Sequence, residues 1–483
     1  MDGSQATAAA QQEPTTGESL KSLLDRQRAA FNAAPYPSAE ERVSDITRLK
    51  DHTVAYEKRL AKAMDADFGG RSGDESLIGD ILPSVMAARY AAKKVRTWMK
   101  PERRSVSPLY QPAKAMVIYQ PLGVVGIVVP WNYPVYLALG PLISALAAGN
   151  RAMIKVSEFA PETGRVLKEM LAECFPEDQV AVVEGEADVA QAFTALPFDH
   201  LLFTGSTQVG RLVMRAAAEN LTPVTLELGG KSPTIIDEHI PMDTAVERFL
   251  WGKGLNAGQT CVATDYVLCP DSRLEELLDS ASRLHRKLYP DEINNPDYTS
   301  IVNDRQFKRL NDWLEEVRGT GARIETLGGD NLKPDPSARA FPLTVVVNPP
   351  QHTKVAQEEI FGPILPIVTY RTLEEAAEYV RARPRPLAMY VMSFKKAVQD
   401  FFIRHTHAGG MSINESVMHV AQDDLPFGGV GDSGIGHYHG KEGFITFSKP
   451  KAIFLRGKLS FTNLIFPPYG RWTHKLVKRL YLR

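Results

Sequence analysis

The chain has 483 residues, with 56 Lys+Arg against 57 Asp+Glu, a formal net charge of -1 and 44% hydrophobic residues. That length exceeds what one hydrophobic core supports, so two or three domains are expected. The charge balance argues against a nucleic-acid partner. Cys174, Cys261 and Cys269 show no C-x-x-C spacing, so neither a disulfide framework nor a zinc site is expected, and a reducing, cytoplasmic location is.

Residues 1–19 lack the apolar core of a signal peptide and read as a disordered lead-in. From about Leu20 to Met99 apolar residues recur at helical spacing among many charges, as on surface helices. The segment from Arg104 to Gln120 alternates in polarity and carries two prolines, which predicts an edge hairpin. Between Ala115 and Asn150 no residue is charged, yet Pro121, Pro130, Pro134 and Pro141 divide the stretch. A membrane span needs about 20 continuous apolar residues. The expectation is instead a buried strand over Val124 to Val129, then a packed helix near Leu137 to Ala148.

The runs GVVGIVVP, RAMIKVS, QVAVVEG, HLLFTGS and PVTLELGG then alternate with helical patterns up to Asp237. That alternation predicts a doubly wound parallel sheet. A second α/β region extends from about Lys231 to Gly429, with strands near Tyr266–Leu268, Leu343–Val347, Ile364–Val368 and Met389–Met392. A cleft between the two regions is the expected site.

Cys261, in Gly254-Leu-Asn-Ala-Gly-Gln-Thr-Cys261, is set among small and polar residues ahead of an apolar run. Such surroundings let a carbonyl approach a thiolate nucleophile, whereas a structural cysteine has large apolar neighbours. Cys174 and Cys269 fit that structural reading. Asn132, in Pro130-Trp131-Asn132-Tyr133-Pro134, follows the buried strand and can offer an amide to an oxyanion, or simply hold a turn. Glu227, among apolar residues before Gly229-Gly230, is a candidate base with a raised pKa, or a surface carboxylate. Lys155 and Glu158 stand where a parallel sheet grips ribose hydroxyls, or form a solvated pair.

Phe203-Thr204-Gly205-Ser206-Thr207-Gln208-Val209-Gly210-Arg211 places a Gly-Ser turn at a helix start, a seat for pyrophosphate. It is not a P-loop, because Arg211 follows Gly210. The G-x-G-x-x-G match at Gly429–Gly434 follows no strand and reads as a flexible turn near the substrate side. His437 and His439 lack carboxylate or thiol partners, so no metal is expected.

PWNYP, KVSE, FTGSTQVGR, ELGGKSP, GLNAGQTC and EEIFGP occur in this order, and together the chain from Leu20 to Arg456 resembles the aldehyde dehydrogenase superfamily. Leu425 to Ala452 resembles the class 3 and fatty-aldehyde branch, and the overall pattern resembles bacterial coniferyl aldehyde dehydrogenases. The resemblance implies an α/β fold of two doubly wound domains, one a five-stranded Rossmann variant. Residues 20–103 and 120–230 would bind NAD(P), 231–429 would form the catalytic domain, and 430–446 would return to the cofactor domain. Residues 104–119 and 447–456 would form a small β arm for homodimerisation.

By the same resemblance Cys261 is the nucleophile, Asn132 the oxyanion donor and Glu227 the base. Glu359 would grip the nicotinamide ribose or assist deacylation, and Phe361 would pack beside the nicotinamide. Lys155 and Glu158 would contact the adenosine ribose and Ser206 the pyrophosphate, with Trp131, Gly205 and Val209 also on the cofactor. NAD is favoured over NADP, since Glu158 would repel a 2′-phosphate. The implied reaction oxidises an aldehyde, aromatic or medium to long and coniferyl aldehyde above others, to its acid. Tyr133, Tyr136 and Trp251 would stand near the substrate entrance. A CoA-acylating enzyme is the alternative, although such enzymes generally lack the carboxylate matching Glu227, and a fold kept without catalysis is a third.

No acidic residue follows Glu442, while nine Lys/Arg lie between Lys449 and Arg483. Trp472, Leu476 and Leu480 share a helical stripe with Lys475, Lys478 and Arg479 off it. Residues 457–483 therefore read as a basic amphipathic tail for a partner subunit or a fatty-aldehyde enzyme's peripheral membrane contact.

Overall fold

The uncharged stretch after Ala115 becomes the middle of the molecule. In the computed structural model, which describes residues 17–482 except 330–331, Val124–Val128 is a strand and Tyr136–Ala148 a helix buried along its whole length. A helix apolar on every face has no side to offer water. Helices Ala39–Ala55, Leu82–Trp98 and Gly440–Thr446 pack against it. Among the described residues no helix is long and apolar enough to cross a membrane. Residues 17–19, expected in the lead-in, open the helix Gly17–Ala33, whose Leu20, Leu23 and Leu24 are buried. The rest of that lead-in, and Arg483 of the tail, lie outside the described residues.

Val124–Val128 stands inside a six-stranded sheet ordered Gly434–Ile435, Val224–Glu227, His200–Thr204, Val124–Val128, Arg151–Lys155, Val180–Val183. Five strands are parallel, and Gly434–Ile435 adds an antiparallel edge. The chain builds outward on one side of Val124–Val128 and then crosses to the other. Strand order therefore reverses at its C-terminal end, where parallel sheets open a crevice for ligands. The edge strand corrects the reading of Gly429–Gly434 as a flexible turn on the substrate side. Gly434 pairs with Glu227, Ser433 accepts from the Leu228 amide at 3.0 Å, and Asp432 pairs with Arg211 at 3.0 Å.

A second sheet has the order Arg323–Thr326, Thr344–Val347, Ile364–Tyr370, Tyr266–Pro270, Pro233–Ile236, Ala388–Met392, Gly410–Ile413. All neighbours are parallel except the Arg323–Thr326 edge. Sequence patterning missed Pro233–Ile236, Arg323–Thr326 and Gly410–Ile413. The first begins at a proline, the second is charged and the third is only half-buried, so none carries a strong strand signal. A third sheet joins Glu102–Arg104, Lys114–Pro121 and Ser448–Leu455. Its outer strand leaves Phe454 and Leu455 exposed.

Candidate active site

Three adjacent strands of the first sheet deliver their C-terminal ends to one crevice. Val124–Val128 leads to Asn132, His200–Thr204 to Gly205 and Ser206, and Val224–Glu227 ends on Glu227 itself. Thr204 and Glu227 are register partners, which sets the phosphate-type turn beside the carboxylate. Cys261 comes from the other side, on the loop ahead of Tyr266–Pro270.

That loop bends sharply. Asn256 and Ala257 adopt φ of 52° and 50°, and Gly258 follows at 74°. Such left-handed backbone is costly for non-glycine residues and persists only where the surroundings hold it. Asn256 Nδ2 donates to the carbonyls of Asn132 and Gln259, both at 3.1 Å, and its own amide donates to Glu75. Gln259 Nε2 donates to the Ser300 carbonyl at 3.1 Å. The bend presents Cys261, partly exposed, at the meeting of two cavities.

The first cavity, about 300 Å³, is the more polar of the two and contains most of the expected site. Trp131, Asn132, Gly205, Ser206, Glu227 and Cys261 line it together with Glu359 and Phe361. Phe361 meets Trp131 edge-on, with ring centroids 5.3 Å apart. A Cβ on Gly229 would lie 1.9 Å from a Glu359 carboxylate oxygen, so a larger residue there would push that carboxylate aside. Ser206 caps the helix Thr207–Ala218 through the Val209 amide, leaving the Thr207 and Gln208 N–H groups able to meet an anion. Both Glu227 oxygens and Thr204 Oγ1 are buried without a hydrogen-bond partner. These orphan groups, the glycine-lined approach and the helix terminus fit a dinucleotide.

Three expected contacts stand apart from that cavity. Lys155 is buried, its Nζ donating to the Val156 carbonyl at 2.7 Å and lying 3.8 Å from Glu158. Glu158 lines a neighbouring pocket of about 110 Å³ with Glu184 and Glu186. Val209 is exposed on the first turn of its helix and lines neither space.

Electrostatics distinguish the acids. Burial pushes Glu227 well above the usual carboxylate range. Burial, with Asp265 nearby, raises Glu359 to about 8. The Cys261 thiol is pushed up to about 12, first by burial and then by Glu359 and Glu227. Asn132 is 2% exposed, and its Nδ2 donates to the Gln259 carbonyl at 3.2 Å. An amide carries two such protons. One is therefore held by the loop of Cys261, and the other is free for the cavity.

Several supporting residues escaped the sequence reading. Arg71 donates to the Asn132 carbonyl at 3.2 Å and pairs with Asp80. Lys231 binds Asp265 at 2.5 Å, and Asp265 accepts from the Ile360 amide at 2.7 Å. Arg309 donates to the Ile360 carbonyl at 2.8 Å, which with Asp265 fixes the Glu359–Phe361 segment. Apart from the Arg71–Asp80 pair, nine residues apart, these contacts join positions distant in sequence, and an isolated Arg, Lys or Asp has no local signature of such a role.

The second cavity, about 260 Å³, is walled by hydrocarbon and aromatic rings, among them Tyr133, Tyr136, Trp251 and Tyr438. It also reaches Cys261, so the thiol is shared by a polar space and an apolar one. Cys174 and Cys269 are buried away from both. Among the described residues no cluster of His, Cys, Asp or Glu is arranged to hold a metal.

A family model described as "Aldehyde dehydrogenase family" matches residues 3–453. A probable coniferyl aldehyde dehydrogenase of Pseudomonas aeruginosa is 53% identical over 464 residues, 96% of each chain. The substrate-bound state of Staphylococcus aureus AldH superposes with a TM-score of 0.91 at 36% identity, covering 96% of this chain and 99% of that one. The Mycobacterium tuberculosis aldehyde dehydrogenase complexed with NAD+ gives 0.82 at 30% identity, covering 92% and 91%. The chain belongs to the aldehyde dehydrogenase family and is an NAD(P)-dependent enzyme that oxidises aldehydes to acids.

Proposed function

We propose that the chain oxidises an aromatic or medium-to-long-chain aldehyde, coniferyl aldehyde above others, with NAD preferred over NADP. The observation that carries this reading is the position of Cys261, which faces an apolar cavity suited to such a substrate and a polar one suited to a dinucleotide.

Glu227, with two unpartnered oxygens, takes the proton from the Cys261 thiol. The sulfur forms a bond to the aldehyde carbon, and the carbonyl oxygen becomes an oxyanion. The second amide proton of Asn132 and the Cys261 backbone N–H stabilise that charge. Bound NAD(P)+ supplies the hydride acceptor. Loss of hydride leaves a thioester on Cys261. Glu227, once it has released the thiol's proton to solvent, draws a proton from water, whose oxygen attacks the acyl carbon. Sulfur leaves as thiolate, and the acid departs. Glu359, Phe361 and Trp131 position the nicotinamide end, Gly205 and Ser206 the pyrophosphate, and Lys155 and Glu158 the adenosine ribose.

The test follows NADH at 340 nm for wild type and Cys261→Ala with coniferyl aldehyde, benzaldehyde and decanal, each with NAD and NADP. Activity in wild type alone is expected. Equal activity in the variant would remove Cys261 as nucleophile.

A fatty aldehyde taken up at a membrane surface is the second reading. Its support is the tail, where Trp472, Leu480 and Leu482 are 72%, 65% and 74% exposed beside Lys475, Lys478 and Arg479. The helix Trp472–Tyr481 rests on the turn Thr462–Ile465. Homodimerisation through the Lys114–Pro121 and Ser448–Leu455 strands is supported by the exposed Phe454 and Leu455.

A further inference from the structure

The apolar cavity contains one carboxylate. Exposure orders its walls from floor to mouth. Cys261 and the fully buried Tyr438 mark the floor, whereas Ile78, Leu82 and Met86 are 51%, 43% and 44% exposed at the mouth. Asp423 is half-buried between these extremes and is, among the described residues, the sole charged side chain in the wall.

Its neighbours leave it unsatisfied. The adjacent Asp424 takes the Tyr90 hydroxyl. The Tyr136 hydroxyl is engaged with His439 Nε2 at 3.2 Å, and burial keeps that imidazole uncharged, with its pKa lowered to about 3. Among the described residues no hydrogen bond or ion pair engages the Asp423 carboxylate. Burial raises its pKa to about 6, which still leaves it ionised in neutral solution. An acid half-withdrawn from water in a hydrocarbon wall costs stability unless a donor meets it. None of the described residues supplies that donor, and the cavity is where a substrate would lie.

We propose that Asp423 makes this enzyme selective for aldehydes with a phenolic hydroxyl remote from the carbonyl, accepting that O–H while the aldehyde carbon rests against Cys261. The inference rests on the aldehyde-oxidation reading and adds the determinant of substrate class. The aromatic lining from Tyr133, Tyr136, Trp251 and Phe427 suits a planar ring. A hydroxyl donating to a carboxylate makes a strong, short bond. An analogue without that hydroxyl displaces water from Asp423 and returns nothing, so discrimination of about tenfold or more in kcat/KM is expected.

The experiment compares kcat/KM for 4-hydroxycinnamaldehyde, 4-methoxycinnamaldehyde and cinnamaldehyde in wild type, Asp423→Asn and Asp423→Leu. Melting curves identify the variants that fold. Wild type should favour the hydroxylated aldehyde over both others by about tenfold or more. In Asp423→Leu that ratio should fall to near one. Asp423→Asn, nearly isosteric and still an acceptor, should lie between.

A wild-type ratio near one overturns the proposal without recourse to any variant. So does a ratio that persists in Asp423→Leu or, if that variant does not fold, remains undiminished in Asp423→Asn. If wild type oxidises cinnamaldehyde without preference, this inference alone fails. If wild type oxidises none of the three, nor decanal, with either nucleotide, the aldehyde-oxidation reading fails with it.

Discussion

Arg71 and Asp80 form an ion pair at 2.9 Å with neither side chain exposed to solvent. Asp80 also accepts from the amides of Val135 and Tyr136 at 3.0 and 2.9 Å, while Arg71 holds the Asn132 carbonyl. The pair therefore anchors the loop that carries Asn132. Asp80→Ala should lower stability by about 3–5 kcal/mol, since it leaves a buried guanidinium unpaired. Urea denaturation measures this. Arg71→Met combined with Asp80→Leu should recover part of the loss.

Asn132→Ala should reduce kcat by about 10²–10³-fold, as removal of an oxyanion donor does. NAD binding, followed by tryptophan fluorescence quenching, should change little.

Glu227→Gln keeps the shape of the site but removes the base proposed for both the Cys261 thiol and the attacking water. Stopped-flow measurement should therefore show NADH forming about 10²–10⁴-fold more slowly from the first turnover, without a burst. Raising the pH should restore part of the rate, because solvent then deprotonates the thiol.

The Cys261 thiol, raised to about 12 by burial and by Glu359 and Glu227, is protonated at neutral pH in the free enzyme. Thiolate is the reactive form. Its alkylation by iodoacetamide should therefore rise about tenfold per pH unit from 7, because the thiolate fraction grows so below the pKa. Glu359 itself ionises near 8 and then opposes the thiolate, flattening the slope above that pH. Glu359→Gln should restore the full slope, and a rate already independent of pH between 6 and 7 in wild type would contradict the assigned environment.

Glu158 stands with Glu184 and Glu186 in the small pocket proposed for the adenosine ribose. Like charges there oppose a 2′-phosphate. Glu158→Gln should raise the ratio of kcat/KM for NADP over NAD by about tenfold, one pKa-unit equivalent of charge interaction. Steady-state kinetics with each nucleotide decides it.

Deletion of residues 457–483 should abolish sedimentation with vesicles rich in anionic lipid while leaving oxidation of soluble aldehydes in place. A tail that buries Trp472, Leu476 and Leu480 in the headgroup region accounts for that outcome. Unchanged sedimentation would favour docking on a partner subunit.

Strand alternation after Gly123 was legible because each buried parallel strand is a short β-branched run bounded by turn residues. Pro233–Ile236 was not, since its pairing depends on neighbours at Tyr266 and Tyr390, distant in the chain. Cys261 stood out by its small neighbours, and Glu227 by its apolar ones. The family motifs gave each a role, which the burial of Glu227 and the shared position of Cys261 now support. The Gly429–Gly434 turn misled, because a glycine-rich string looks mobile until an edge strand pins it.

The sequence by itself determined the alternation of strands and helices, the presence of one cysteine set among small residues and the membership of its family, because these reside in local periodicity and contiguous motifs. Only the tertiary structure decided which acids are stripped of water, which carbonyls Arg71 and Arg309 hold, and that one thiol serves two cavities. Those facts depend on side chains more than 50 residues apart meeting in space (Arg71 with Asn132, Asp265 with Ile360), and no local pattern records such a meeting.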